Sequence, residues 1–192
     1  MKIFKGFTLI ELMIAMSILA IILVVGVPNF QTSIQNNRVT TNANGLISAM
    51  MIARNEAIKR GVDVQIMSNS GNANWTTGWT VIADDNNDGI FNSSPAVSTC
   101  IAPADCLVYT NAGLNAGVTL NAVVNNRTLF QFDPRGRLRT SITLQPDTLV
   151  MCDSRGFVAQ ARAIVITNTG RGRVVSATDL EADVNGNVNS CT

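Results

Sequence analysis

The stretch FTLIELMIAMSILAIILVVGV, residues 7–27, decides how the rest of the chain is read. It runs for 21 residues and carries one ionisable side chain, Glu11. At about 1.5 Å per residue, a helix of that length crosses a hydrocarbon core of roughly 30 Å. Only MKIFKG precedes it, with Lys2, Lys5 and a final Gly6. A secretory signal peptide has a shorter apolar region with a small-residue cleavage site after it. Here the obvious cleavage point lies ahead of the apolar run, so the sequence predicts that the hydrophobic helix is kept.

These residues, KG followed by FTLIELMIAM, resemble the class III leader and N-terminal helix of type IV pilins and type II secretion pseudopilins. The resemblance implies that a prepilin peptidase cuts after Gly6 and methylates the new N-terminus at Phe7. It also implies a role for Glu11. A carboxylate deep in a bilayer helix costs on the order of 2.5–3.5 kcal/mol. In the plainer reading Glu11 reaches the headgroups and favours the positive helix N-terminus. In the reading the family implies, it neutralises the Phe7 amine of a neighbouring subunit during filament assembly. The implied setting is the bacterial inner membrane, with a single pass and a periplasmic domain, and then a pilus or pseudopilus. The implied partners are other major and minor pilins or pseudopilins.

Composition bounds the remainder. A chain of 192 residues has room for one anchor helix and one domain of ordinary size. Only 14% of residues are charged, and the net charge of +1 falls to −1 once Lys2 and Lys5 are removed with the leader. No global basicity therefore points to nucleic acid. The distribution is uneven, however. Residues 61–126 hold five acids and no base, whereas 127–173 hold eight arginines against Asp133, Asp147 and Asp153. Asp179, Glu181 and Asp183 return the tail to acid. Such asymmetry predicts a basic face, or simply a solvated surface.

Pro28 predicts a kink or local break after the anchor, so that residues 7–28 form a membrane or filament-core half and 29–60 an amphipathic half. Val39, Ala43, Leu46, Ile47, Met50, Ala53, Ala57 and Ile58 recur at helical steps and predict one buried stripe. Gly61 is the expected C-cap. Beyond it the period changes to two. Strands are expected around Val62–Ile66, 79–83, 118–124, 129–132, 141–144, 148–152, 163–167 and 174–176. Residues 68–77 and 86–104 read as surface loops. The expected fold is α+β: a long N-terminal helix packed against an antiparallel β domain over 61–192.

Three segments of that domain resemble the FimT/GspH group of minor pilins and pseudopilins: GWTVIADDNNDG at 78–89, FDPRGRL at 132–138 and IVITNTGRGR at 164–173. The resemblance implies two small antiparallel sheets near the long helix. It implies a subunit of the tip or priming complex of a type IV pilus, or a minor pseudopilin of a type II secretion system. Gly170-Arg171-Gly172-Arg173 matches the GRxR motif that in FimT-like minor pilins is associated with binding DNA. Two arginines around a flexible glycine can offer guanidinium forks to adjacent phosphates. Arg135, Arg137 and Arg139 would join them on one face if their segment is extended. Extracellular DNA is thus a candidate partner, with a plain turn as the alternative.

Four cysteines permit three pairings. The preferred one joins Cys100 to Cys106 within a loop and Cys152 to Cys191 across a long one. Zinc is the rival reading, but there is no CxxC and no histidine. The missing histidine also removes histidine-based triads and metal sites, and no catalytic constellation, cofactor or enzyme activity is expected. Asp84, Asp85 and Asp88 lie in a D-x-N-x-D-G pattern that resembles the start of a calcium loop, but Pro95 stands where its bidentate glutamate belongs. A polar hairpin is the expected structure there.

Overall fold

In the computed structural model one helix, α1, runs from Leu9 to Arg60. The structure describes residues 6–92, 100, 105–139, 147–156, 160–167, 169–176 and 191. The chain divides into two units, Met1–Asn37 and Arg38–Thr192.

In the first unit, Thr8 opens the helix. Its Oγ1 accepts the Glu11 N–H at 3.3 Å, and its carbonyl accepts the Leu12 N–H at 3.2 Å. This is N-cap geometry, and Glu11 adds negative charge where the helix end is positive. Every residue from 6 to 34 is exposed. The most apolar 18-residue window has a mean hydropathy of 2.7, so by length and composition α1 can cross a membrane. Of the kink or local break expected at Pro28, the break does not occur: the helix continues through it. Proline withholds a single N–H, and neighbouring side chains bond the backbone around it. Asn29 Nδ2 donates to the Val25 carbonyl at 2.9 Å, and Thr32 Oγ1 donates to the Pro28 carbonyl at 3.1 Å.

In the second unit, α1 buries Val39, Ala43, Leu46, Ala49, Met50, Ala53 and Ala57. Ile58, expected in the stripe, is instead 51% exposed. Ala57 takes the inward place, and Ile58 lies a further 100° or so around the helix. Gly61 closes α1 at φ +71°, its N–H bonding the Ala57 carbonyl at 2.9 Å.

Eight strands are described: β1 (Val64–Ser68), β2 (Trp79–Ala83), β3 (Cys106–Asn111), β4 (Val118–Ala122), β5 (Leu129–Phe132), β6 (Asp147–Asp153), β7 (Arg162–Ile166) and β8 (Gly172–Ser176). They form two antiparallel four-stranded sheets, β3-β2-β1-β5 and β4-β6-β7-β8. Val64, Ile66, Phe130 and Phe132 from the first sheet meet Leu120, Leu149, Met151, Ile164 and Ile166 from the second, together with the buried stripe of α1. Each fully buried side chain of this size contributes on the order of 1.5–3 kcal/mol. Alternation turns Val150, Cys152, Ala163 and Val165 to the opposite face of the second sheet, where Cys191 joins them in a smaller cluster.

Two further expectations change. Strand β3 was absent from the sequence pattern because only Cys106 in it is fully buried, and the alternation is weak. Residues 68–77 are not simply a surface loop, since Trp75 is fully buried. Its N–H donates to the Leu120 carbonyl at 2.7 Å, and its Nε1 donates to the Arg127 carbonyl at 2.8 Å. The β1–β2 connection thereby docks on β4 and ties one sheet to the other. The strand expected over 141–144 lies outside the described residues.

Candidate functional site

Two hairpin turns and one turn of α1 bring three arginines to one cleft of the domain. The first turn follows β5. Its Asp133 N–H donates to the Arg137 carbonyl at 2.9 Å, and the Gly136 N–H donates to the Asp133 carbonyl at 2.7 Å. The second turn joins β7 to β8. Its Thr167 N–H donates to the Arg171 carbonyl at 3.0 Å, and the Gly170 N–H donates to the Thr167 carbonyl at 2.8 Å. The glycines occupy the left-handed region at φ +72° and +74°. In both turns a left-handed glycine is followed directly by an arginine, the arrangement of a hairpin closed by a glycine bulge.

Glycine at these positions also permits close packing. A Cβ on Gly136 would lie 2.6 Å from Ile58 Cδ1 and 3.1 Å from Arg54 Cγ. One on Gly170 would lie 2.6 Å from Phe132 Cε1. The first turn thus sits on α1 and the second on the buried ring of Phe132. Arg54, Arg137, Arg171 and Thr169 line an open cleft of about 420 Å³ between them. Among the described residues, Arg54 and Arg171 form no ion pair. Arg137 pairs with Asp133 at 3.0 Å. Burial pulls the Asp133 carboxyl upward, but the backbone N–H of Arg137, the Arg137 guanidinium and the backbone N–H of Arg135 together hold it below the usual carboxylate range.

The expected arginine face is only partly assembled. The segment 135–139 is not extended, because Asp133 folds it into a turn: its Oδ1 accepts the N–H groups of Arg135 and Arg137 at 2.9 and 2.8 Å. Arg139 pairs instead with Asp63 at 3.2 Å. Arg135 is exposed on the turn. Arg173 stands in β8 opposite Val165, on the face of the smaller cluster, and it does not line the cleft. Of the five arginines singled out in the sequence, the cleft gathers Arg137 and Arg171. It adds Arg54, which no local motif marks.

The other candidate residues fall elsewhere. Gly6 and Phe7 precede α1, and Phe7 is 82% exposed. Cys100 is joined to Cys106 and Cys152 to Cys191, with Cα separations of 4.6 and 5.9 Å. Asp85 lies beside the first pair, but sulfurs joined to each other are not thiolate ligands. Asp84 is buried and spends its carboxylate on the turn, accepting the N–H groups of Asp88 and Gly89 at 3.1 and 2.9 Å. Pro95 lies outside the described residues.

The profile of the family described as type II transport protein GspH matches residues 42–170, and the prokaryotic N-terminal methylation motif matches residues 1–27. No curated protein matches the chain in sequence. Among solved structures, the fold is similar to the type IV minor pilin FimU of Pseudomonas aeruginosa in two crystal forms. One gives a TM-score of 0.57 at 18% identity, covering 82% of this chain and 98% of FimU. The other gives 0.54 at 18% identity, covering 80% and 99%. A weaker likeness, with a TM-score of 0.48 at 13% identity, is to the minor pseudopilin EpsH of the Vibrio cholerae type 2 secretion system, covering 72% of this chain and 97% of EpsH. The GspH profile spans the last third or so of α1 and most of the β domain, and the chain accordingly belongs to the GspH family, with an N-terminal methylation motif ahead of its domain.

Proposed function

We propose that this GspH-family chain is a minor pilin or pseudopilin that enters a type IV pilus or a related filament through its N-terminal helix, in the tip or priming complex. The observation that carries the reading is the stretch 6–34, exposed throughout and holding a single carboxylate in its capped first turn. So much apolar surface is costly in water and is relieved first by a bilayer and then by a bundle of like helices. Prepilin peptidase removes residues 1–6 and methylates Phe7. Glu11 then faces the Phe7 amine of a neighbouring subunit, and the β domain waits on the periplasmic side. The likeness to a type IV minor pilin supports the pilus version, and the family description supports the secretion version.

The test is mass spectrometry of sheared filaments from cells expressing the full chain. The reading expects a subunit beginning at N-methylated Phe7. A mature chain that starts within the apolar run, or one absent from every filament fraction, overturns it. Deleting the pilus or the secretion assembly machinery in turn separates the two versions.

A second reading, capture of extracellular DNA, draws support from the placement of Arg171 beside Arg54 and Arg137. Phosphate contacts make affinity fall with salt, with a slope of roughly −0.9 per contact on duplex DNA. Arg171→Ala should therefore make the slope shallower by about 1 and weaken unrelated sequences alike. An unchanged slope removes Arg171 from any DNA contact.

A further inference from the structure

We propose that the cleft between the twin turns and α1 is a site for one compact dianionic oxyanion, inorganic phosphate or a phosphate monoester. The argument begins with convergence. The three arginines come from α1 and from two separate hairpins, and they line a single space of about 420 Å³. Arginines that track a polymer backbone are spread along a surface, whereas these close around one volume. Charge supplies the second step. Arg54, Arg137 and Arg171 face one described carboxylate partner, Asp133, which leaves an excess of two positive charges. A phosphate monoester matches that excess, carrying about −1.5 to −2 at neutral pH. A phosphodiester group carries one charge and leaves half the excess unmatched.

Donor geometry is the third step. Guanidinium forks bind tetrahedral oxyanions in a bidentate manner, while the Thr169 hydroxyl is engaged with the Thr167 hydroxyl at 2.9 Å. The fourth is preorganisation. Gly136 and Gly170 pin their turns against Ile58, Arg54 and Phe132, so Arg137 and Arg171 leave the backbone from fixed points. A fixed backbone lowers the ordering cost of binding. The site shares its three arginines with the DNA reading but does not rest on that reading, nor on the filament reading.

The experiment is calorimetric titration of the full chain in detergent, in a chloride buffer, with inorganic phosphate, sulfate and dimethyl phosphate as probes. Phosphate and sulfate should bind with one-to-one stoichiometry, and dimethyl phosphate roughly tenfold or more weakly. Arg54→Gln should weaken phosphate by roughly tenfold or more, and Arg54→Lys by less, because it keeps the charge but loses the fork. Lys59→Gln, an exposed cation outside the cleft, should leave binding unchanged. If Arg54→Gln fails to fold, as judged by its circular dichroism, Arg171→Gln at an exposed position carries the same expectation. The proposal is overturned if neither dianion binds at millimolar concentration, or if the arginine variant that folds binds phosphate as the parent does. Dimethyl phosphate binding as tightly as phosphate also overturns it. Salt-sensitive DNA binding that persists without any phosphate site overturns it too, and leaves the DNA reading standing by itself.

Discussion

Replacing Gly170 with alanine should cost the domain about 2–5 kcal/mol, the sum of two separable effects. Gly170 lies at φ +74°, where an alanine pays on the order of 1–2 kcal/mol for the left-handed conformation. Its Cβ would also lie 2.6 Å from Phe132 Cε1. Phe132 is fully buried in the main core, so its ring cannot swing aside without disturbing its neighbours. Overpacking of that kind adds about 1–3 kcal/mol. Gly117 supplies the control. It lies at φ +85°, and a Cβ added there would meet nothing within 4 Å, so Gly117→Ala carries the conformational cost alone. With a urea m-value of about 1–3 kcal/mol per molar, the two midpoints should differ by roughly 1 M. Fluorescence of the buried Trp75 and Trp79 reports the transition. Equal losses in the two variants would show that Phe132 does not brace the second turn, and the account of how Arg171 is positioned would fail with it.

Removing Cys152–Cys191 by a double alanine substitution should lower stability by about 4 kcal/mol, and removing Cys100–Cys106 by about 2 kcal/mol, because the first closes the longer loop; urea unfolding of both variants checks the order. Asp105 is pushed above the ordinary carboxylate range by burial and by the charges of Asp84, Asp88 and Asp85, against the opposing N–H of Asn92. Its ionised form therefore costs stability above the folded-state pKa, so Asp105→Asn should raise the melting temperature at pH 7.5 or so, and the gain should vanish in acid where the aspartate is protonated. Asp133 behaves in the opposite sense. Despite its burial, hydrogen bonds from Arg137 and Arg135 lower its pKa, so its contribution is present above about pH 3.9 and is lost as pH falls through the lower folded value. Asp133→Asn should destabilise at neutral pH, and the penalty should shrink on acidification in a melting series.

The parts of the molecule that were legible in the sequence are those with strong local constraints. Lipid admits only helices and closed barrels, and a run as long and apolar as residues 7–27 fits the helix. Half-buried strands alternate, so residues 79–83 and 129–132 coincide with β2 and β5. Strand β3 escaped because an edge strand with one fully buried residue has little alternation to read. Trp75 escaped because its local composition is that of a loop, whereas its burial is decided by β4, some 45 residues further along the chain. The cleft shows the same division. Arg171 stands out beside its glycines, but Arg54 reaches the site from α1, and Arg139 is claimed by Asp63. Both facts are tertiary. A trace was nonetheless present, since Asp133-Pro-Arg-Gly-Arg137 and Thr167-Asn-Thr-Gly-Arg171 share a glycine and an arginine at matching places, and the two turns close with the same hydrogen bonds.

The central claim is that the exposed apolar helix and its single carboxylate bring this chain into a filament. The most direct measurement compares wild type with Glu11→Ala in the same cells, quantifying the chain in sheared filaments relative to the membrane fraction. Removing a carboxylate from the apolar helix eases insertion, so the membrane level should hold or rise. The filament share should fall sharply, because the Phe7 amine of the adjoining subunit loses its counter-charge. An unchanged filament share at an unchanged membrane level would contradict the account and leave Glu11 as no more than the acidic residue of a capped first turn.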